Sequence, residues 1–353
     1  VIAGVTQVID VKEAMLYEQL PDGRVQCNLC AHRCRIAEGK KGICRVREHR
    51  DGTLYTLVYG RTIAQHVDPI EKKPLFHFYP GSTAYSIATP GCNFQCRWCQ
   101  NWQISQMPRE SDLLSGAEAS PEDLVNAALD ADCRSIAYTY TEPTIFFEYS
   151  YDTAQKAQDA GLQNVYVTNG YMTEEMLDTL HPYLSAANVD LKTFRDDTYK
   201  RYVGARLEPV LETLKRMKTL GIWLEVTTLV IPGINDDTAE LNDVADFIVH
   251  ELGAETPWHI SRFFPAYEMT GVPQTPIEKV REARDIGLEK GLRYVYTGNM
   301  QNDTDTVCHS CGRTLIRRSG MLAHDNCVAP GNKCPNCGAP VAGVGMSAET
   351  DAQ

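Results

Sequence analysis

Between residues 83 and 297, short β-rich apolar runs alternate with segments whose apolar positions recur at helical spacing. "TAYSIAT" (83–89) reads as a strand running into a cysteine-bearing loop. Ser120-Pro121-Glu122-Asp123 then opens a helix: Ser caps it, Pro takes the first helical position, and an acid follows three residues after the cap. "SIAYTYT" (135–141) is a second strand, and a helical stretch follows it to Gly161. "NVYVTN" (164–169) and "ANVDLKT" (187–193) are the third and fourth strands. "WLEVTTLVI" (223–231) is the fifth, stopped by Pro232-Gly233. Across Asp237–Leu252, Leu241, Val244, Phe247, Ile248 and Leu252 fall on one helical face, and Gly253 stops the run. "WHISRFF" (258–264) is the sixth strand, and a helix near 276–290 and "RYVYT" (293–297) close the region.

Six βα units in succession predict an α/β fold with a parallel sheet and helices outside it. Six are fewer than the eight of a closed barrel, so a partial, open (βα)6 barrel is expected. The expected division is a Cys-rich N-terminal domain over 1–75, the barrel over 76–300, and a small C-terminal domain over 301–353. Cys92, Glu142, Thr168, Asn169, Asp190 and Lys192 all fall at or just past strand C-termini, the catalytic end of such a sheet.

Composition narrows the function classes. A formal net charge of −12, with no run of five Lys or Arg, argues against a nucleic-acid or anionic-membrane binder. No stretch approaches the roughly 18 apolar residues of a membrane span. The opening "VIAGVTQVIDVKEAM" lacks a basic leader and is interrupted by Asp10, so no signal peptide is read and a cytoplasmic location is expected. In a reducing compartment the 13 cysteines are better explained as metal ligands than as disulfides. All but Cys133 fall in three groups along the chain.

The central group, Cys92, Cys96 and Cys99, sits in "GCNFQCRWC" at C-x3-C-x2-C spacing. Structural zinc and closed iron–sulfur clusters take four ligands, so three thiolates suggest a metal with an open position. A zinc site completed by His77 or Cys133 is the rival reading. The spacing, with Trp98 as the aromatic before the last cysteine, resembles the signature of the radical S-adenosylmethionine (SAM) superfamily. The longer run "GCNFQCRWCQNWQIS" resembles activating enzymes of the pyruvate formate-lyase type, and more closely the radical SAM member of the AmmeMemoRadiSam system.

The resemblance implies a [4Fe–4S] cluster on Cys92, Cys96 and Cys99, with SAM on the fourth iron, reductive cleavage of SAM, and a 5′-deoxyadenosyl radical that abstracts hydrogen from a substrate. It implies a low-potential electron donor of flavodoxin or ferredoxin type. A protein substrate, activated at a glycine, is the leading expectation. Modification of a small molecule or peptide is the alternative, and a non-catalytic metal-binding adapter is the alternative of another class. The same resemblance places Trp98 beside adenine and puts Thr141-Glu142 where relatives carry a Gly-Gly-Glu run. It sets Thr168 and Asn169 near ribose or carboxylate, and gives Asp190 and Lys192 either contacts to SAM or a plain ion pair. His259 is more often structural than a substrate contact in such a place.

The flanking groups read from spacing. Cys308-x2-Cys311-Gly and Cys334-x2-Cys337-Gly, 22 residues apart, predict a zinc ribbon, with Cys327 spare and buried. Cys27-x2-Cys30-x3-Cys34-x9-Cys44 suits zinc or a second [4Fe–4S] cluster. It departs from the bacterial ferredoxin run, and zinc is the expected occupant.

Overall fold

The structure, a computed structural model, describes residues 11–112, 114–300 and 304–347. The segment read for a leader lies, up to Asp10, outside the described residues.

One eight-stranded sheet organises the chain, and its strands lie side by side in sequence order. They are β1 (Ala64–Pro69), β2 (Thr83–Ala88), β3 (Ser135–Tyr138), β4 (Gln163–Thr168), β5 (Ala186–Asp190), β6 (Trp223–Val230), β7 (Trp258–Arg262) and β8 (Val295–Gly298). β1 is antiparallel to β2, and every later neighbour pair is parallel. β1 and β8 are the two edges, so the sheet stays an open partial barrel. β1 is an element the residue pattern did not announce: "AQHVDP" is mostly polar and ends in Pro, as suits an edge strand.

Helices α1 (Pro121–Asp130), α2 (Phe147–Asp159), α3 (Glu174–Leu180), α4 (Glu208–Thr219), α5 (Thr238–Phe247) and α6 (Ile277–Glu289) fall between successive parallel strands. The capping box is formed as expected: Ser120 Oγ accepts from Asp123 N, and the Asp123 carboxylate accepts from Ser120 N. Two strands stop three residues earlier than expected. β3 ends at Tyr138 because Tyr140 takes a left-handed backbone (φ 63°). β5 ends at Asp190 because the chain beyond turns toward Glu240, which accepts from Thr193 Oγ1 and Phe194 N.

The flanking modules are clamped to the sheet by buried ion pairs. Arg47, on the N-terminal strand Arg47–Arg50, sends both terminal nitrogens to Glu148 of α2 at 2.9 Å, and both side chains are buried. Arg318, on the C-terminal strand Thr314–Ser319, pairs with buried Glu71 at 3.4 Å and donates to Phe76 O at 2.8 Å. Among the described residues, no helix is long and apolar enough to cross a membrane.

Candidate active site

The cysteine loop leaves the C-terminal end of β2, and its sharp entry requires Gly91. That residue has φ 106°, and a Cβ there would lie 2.8 Å from Val46 Cγ1 and 3.1 Å from Ile145 Cδ1. Backbone bonds then fasten the loop: Gln95 N to Val203 O, Arg97 N to Tyr202 O, and Cys99 N to Cys96 O. Ser105 Oγ lies 3.3 Å from Cys99 Sγ, and Phe94 N donates to Cys92 Sγ at 3.4 Å.

A cavity of about 400 Å³ opens over this loop at the C-terminal ends of the strands. Cys92, Cys96, Cys99, Trp98, Thr141, Glu142, Thr168, Asn169, Asp190 and Lys192 all line it, so the structure brings together every residue expected to hold the cluster or SAM. The zinc rivals are placed elsewhere. His77 is held by Ala342 O and Tyr296 Oη, both at 2.6 Å, and Cys133 precedes β3 at the opposite end of the sheet.

Burial sets the chemistry of the lining. Desolvation pushes the Cys92 thiol well up and the Cys96 thiol up to about 12. Glu142 is buried and its carboxyl is pushed up by desolvation, yet four donors hold it: Thr144 N and Oγ1, Thr168 Oγ1, and Asn169 N, at 2.6–3.0 Å. It therefore staples the loops after β3 and β4 together. Asn169 donates at 2.7 Å to Asn93 Oδ1, inside the cysteine loop. Lys192 and Asp190 form a 2.7 Å pair on the rim. The Asn235 amide donates to Lys192 O and Leu229 O, so the turn after β6 fixes the Lys192 backbone.

A family model described as the Radical SAM superfamily matches residues 86–247. Over 310 residues the chain is 47% identical to the uncharacterized protein MJ0808 of Methanocaldococcus jannaschii, covering 87% of this chain and 92% of that one. The chain belongs to the radical SAM superfamily. Similarity also reaches the (2S)-3-sulfopropanediol dehydratase activating enzyme of Klebsiella oxytoca, 25% identical over 32% of this chain and 36% of that one. GTP 3′,8-cyclase of Campylobacter fetus is 27% identical over 66% of this chain and 76% of that one.

The residues of this radical SAM protein fit a three-thiolate cluster. A tetrahedral ion with bonds of about 2.3 Å sets its sulfurs about 3.8 Å apart, whereas the thiolates on a four-iron cube each bind a different iron and stand wider. Among the described residues, only Cys308, Cys311, Cys334 and Cys337 bring three or more ligand atoms all within 4.8 Å, so at least one pair of the Cys92, Cys96 and Cys99 sulfurs lies farther apart than that. Trp98 is buried on the cavity wall with no partner for its indole N–H.

Sequence reasoning missed one side of the cavity. Asp68 of β1 accepts from Lys72 and Lys73 at 2.7 Å and from Tyr140 Oη. The Lys73 ammonium lies 4.6 Å from the Tyr140 ring centre. Burial pushes Lys73 down to about 8 despite the Asp68 contact. Only the charged run before Pro74 hinted at it. Beside the first cavity lies a second, of about 720 Å³, which shares Lys72, Ser261 and Asn299 with it. His259 reaches this second space but is bound to Glu225 at 2.6 Å. Glu225 also accepts from Phe76 N, His77 N and Trp223 Nε1; burial pushes its carboxyl up, but the His259 bond and charge, the His77 charge and the Trp223 bond hold it below the usual range.

The C-terminal quartet forms a compact tetrahedron. Cys308 and Cys337 sulfurs are 3.6 Å apart, and Cys311 and Cys334 sulfurs 3.7 Å. Gly312 and Gly338 follow the knuckles in left-handed conformation, bonding back to Cys308 O and Cys334 O. Cys327 corrects an expectation: it is exposed, because it leaves the last strand with its thiol turned to Thr314 O rather than inward.

Proposed function

We propose that this radical SAM enzyme holds a [4Fe–4S] cluster on Cys92, Cys96 and Cys99 and cleaves SAM in the 400 Å³ cavity. The observation that carries this reading is the convergence of the three thiols and the SAM-binding candidates on one space. When bound, the cluster supplies one electron to the SAM sulfonium, giving methionine and a 5′-deoxyadenosyl radical. Trp98 walls the cavity beside adenine. Lys192 offers the SAM carboxylate a cation, and Asp190 accepts from ribose hydroxyls. Thr141 and Asn169 supply polar contacts at the ends of β3 and β4. Glu142 positions Thr168 through Oε1 and Asn169 through Oε2, and Oε2, with one donor, keeps room to accept another. Zinc fits the C-terminal quartet, whose sulfur spacing suits a single tetrahedral ion.

The target we favour is a glycine of a partner protein, as in an activating enzyme, with a flavodoxin- or ferredoxin-like protein as electron donor. Likeness to the Klebsiella activating enzyme supports it. A small anionic molecule is the second reading, favoured by the adjoining 720 Å³ cavity with Arg262, Arg281 and Lys72 on its walls. Deuterium transfer separates them. A deuterated-glycine partner protein that passes label to 5′-deoxyadenosine and shows a persistent glycyl doublet supports the first. Label arriving only from small acidic compounds replaces it with the second.

A further inference from the structure

None of the four N-terminal cysteines lines the SAM cavity. Cys27 ends the strand Val25–Cys27, Cys30 and Cys34 lie on the loop before Arg35–Ile36, and Cys44 lies on the turn before Arg47–Arg50. All four line one pocket, walled on its apolar side by Leu29, Ile36 and Ile145. Cys27 is buried and the other three are half-buried. No three of their sulfurs lie mutually within 4.8 Å, in contrast with the C-terminal quartet. Four thiols around one pocket, spaced too widely for one ion, match four irons better than one zinc.

The pocket also holds donors with nothing to bond. Arg47 and Asn93 line it, both almost fully buried. Arg47 Nε and Asn93 Nδ2 have no partner, although the other polar atoms of both side chains are engaged. Sulfurs of a cluster accept such N–H bonds, and those bonds tune its potential.

We propose that Cys27, Cys30, Cys34 and Cys44 bind a second [4Fe–4S] cluster, which hands electrons to the cluster on Cys92, Cys96 and Cys99. The relay half of this inference rests on the function proposed above; the cluster half does not. Short links join the two sites. His32 Nε2 lies 2.9 Å from Asn93 O. Arg109 donates from one nitrogen to Ile43 O at 2.7 Å and to Cys92 O at 3.4 Å. Asn93 faces the N-terminal pocket and, through Oδ1, the Asn169 amide in the SAM cavity. In each transfer one electron leaves the reduced N-terminal cluster and enters the catalytic one. An external low-potential one-electron donor then restores the first. No bond forms or breaks.

The test uses the full chain, reconstituted with iron and sulfide without oxygen. The expected content is about eight irons per chain beside one zinc, falling to about four irons with zinc unchanged in the double variant Cys30→Ala/Cys44→Ala. Should that variant not fold, paramagnetic resonance of the reduced wild type decides: two cluster signals are expected, of which SAM perturbs one. About four irons with two zincs, or one SAM-sensitive signal alone, overturns the second cluster. Eight irons with neither signal answering to SAM leaves the second cluster standing and removes the proposed function. For the relay, the flavodoxin-driven rate of 5′-deoxyadenosine formation should fall at least tenfold more in the variant than the dithionite-driven rate. An equal fall in both overturns the relay.

Discussion

Lys73 sits on the cavity wall with its charge set against burial. Its ammonium is held by Asp68 and faces the Tyr140 ring, yet desolvation lowers it to about 8. Below about pH 8 the cation is present, and above it the neutral amine loses both the ion pair and the ring contact. If the charge helps hold SAM, kcat/KM for 5′-deoxyadenosine formation falls about tenfold per pH unit above that value. In Lys73→Met the rate is low and that limb is gone. A limb that persists in the variant removes Lys73 from the site. Asp190 gives a second prediction at this scale. Asp190→Ala should raise the KM for SAM about tenfold, equivalent to about 1.4 kcal/mol of binding. An unchanged KM would leave only the ion pair with Lys192.

These residues also mark how far reading along the chain reaches. The Cys92, Cys96 and Cys99 spacing is local, as are Trp98 and the Asn169-Gly170 turn, and each was legible at its own position. The meeting of Asp68 with Lys73 and the Tyr140 hydroxyl was not, because it joins an edge strand, a turn and a loop more than sixty residues on. That Glu142 also joins the loops after β3 and β4 through four internal donors is something only tertiary geometry reveals.

Among the elements, strand and helix order followed the apolar pattern because each βα unit buries its own stripe. Strand ends did not, because loop demands such as the left-handed Tyr140 cut them short. Helix α1 is secured by local chemistry: Ser120→Ala should lower stability by about 1 kcal/mol and leave SAM cleavage unaltered. The junction of α2 with the N-terminal module is more costly to disturb. Glu148→Ala strands Arg47 in a buried site and should cost about 3–5 kcal/mol. Limited proteolysis would then cut first within the module, around residues 15–60. Unchanged protection there would mean that the pair contributes little to docking.

At the scale of the whole molecule, an open sheet gathers three cysteine groups into two chemical arrangements. The C-terminal quartet is compact enough for a single ion, and its module is fastened through Arg318, Glu71 and Phe76 beside the larger cavity. Stripping that metal should loosen the 304–347 module, seen as faster amide exchange there, while the β2–β7 strands stay protected. Neither of the other two groups brings three sulfurs within 4.8 Å, and the two lie on either side of Asn93 and Arg109. What the pattern along the chain could not supply is that juxtaposition, since the N-terminal module and the cysteine loop are joined only by folding.

The most direct test is chromatographic quantification of 5′-deoxyadenosine after anaerobic reconstitution, reduction with dithionite and addition of SAM. Wild type and Cys327→Ala should both release the nucleoside, and Cys96→Ala should fall to background. Equal yields from Cys96→Ala and wild type, or none from wild type carrying a full cluster, would contradict the assignment of SAM cleavage to the Cys92–Cys99 loop.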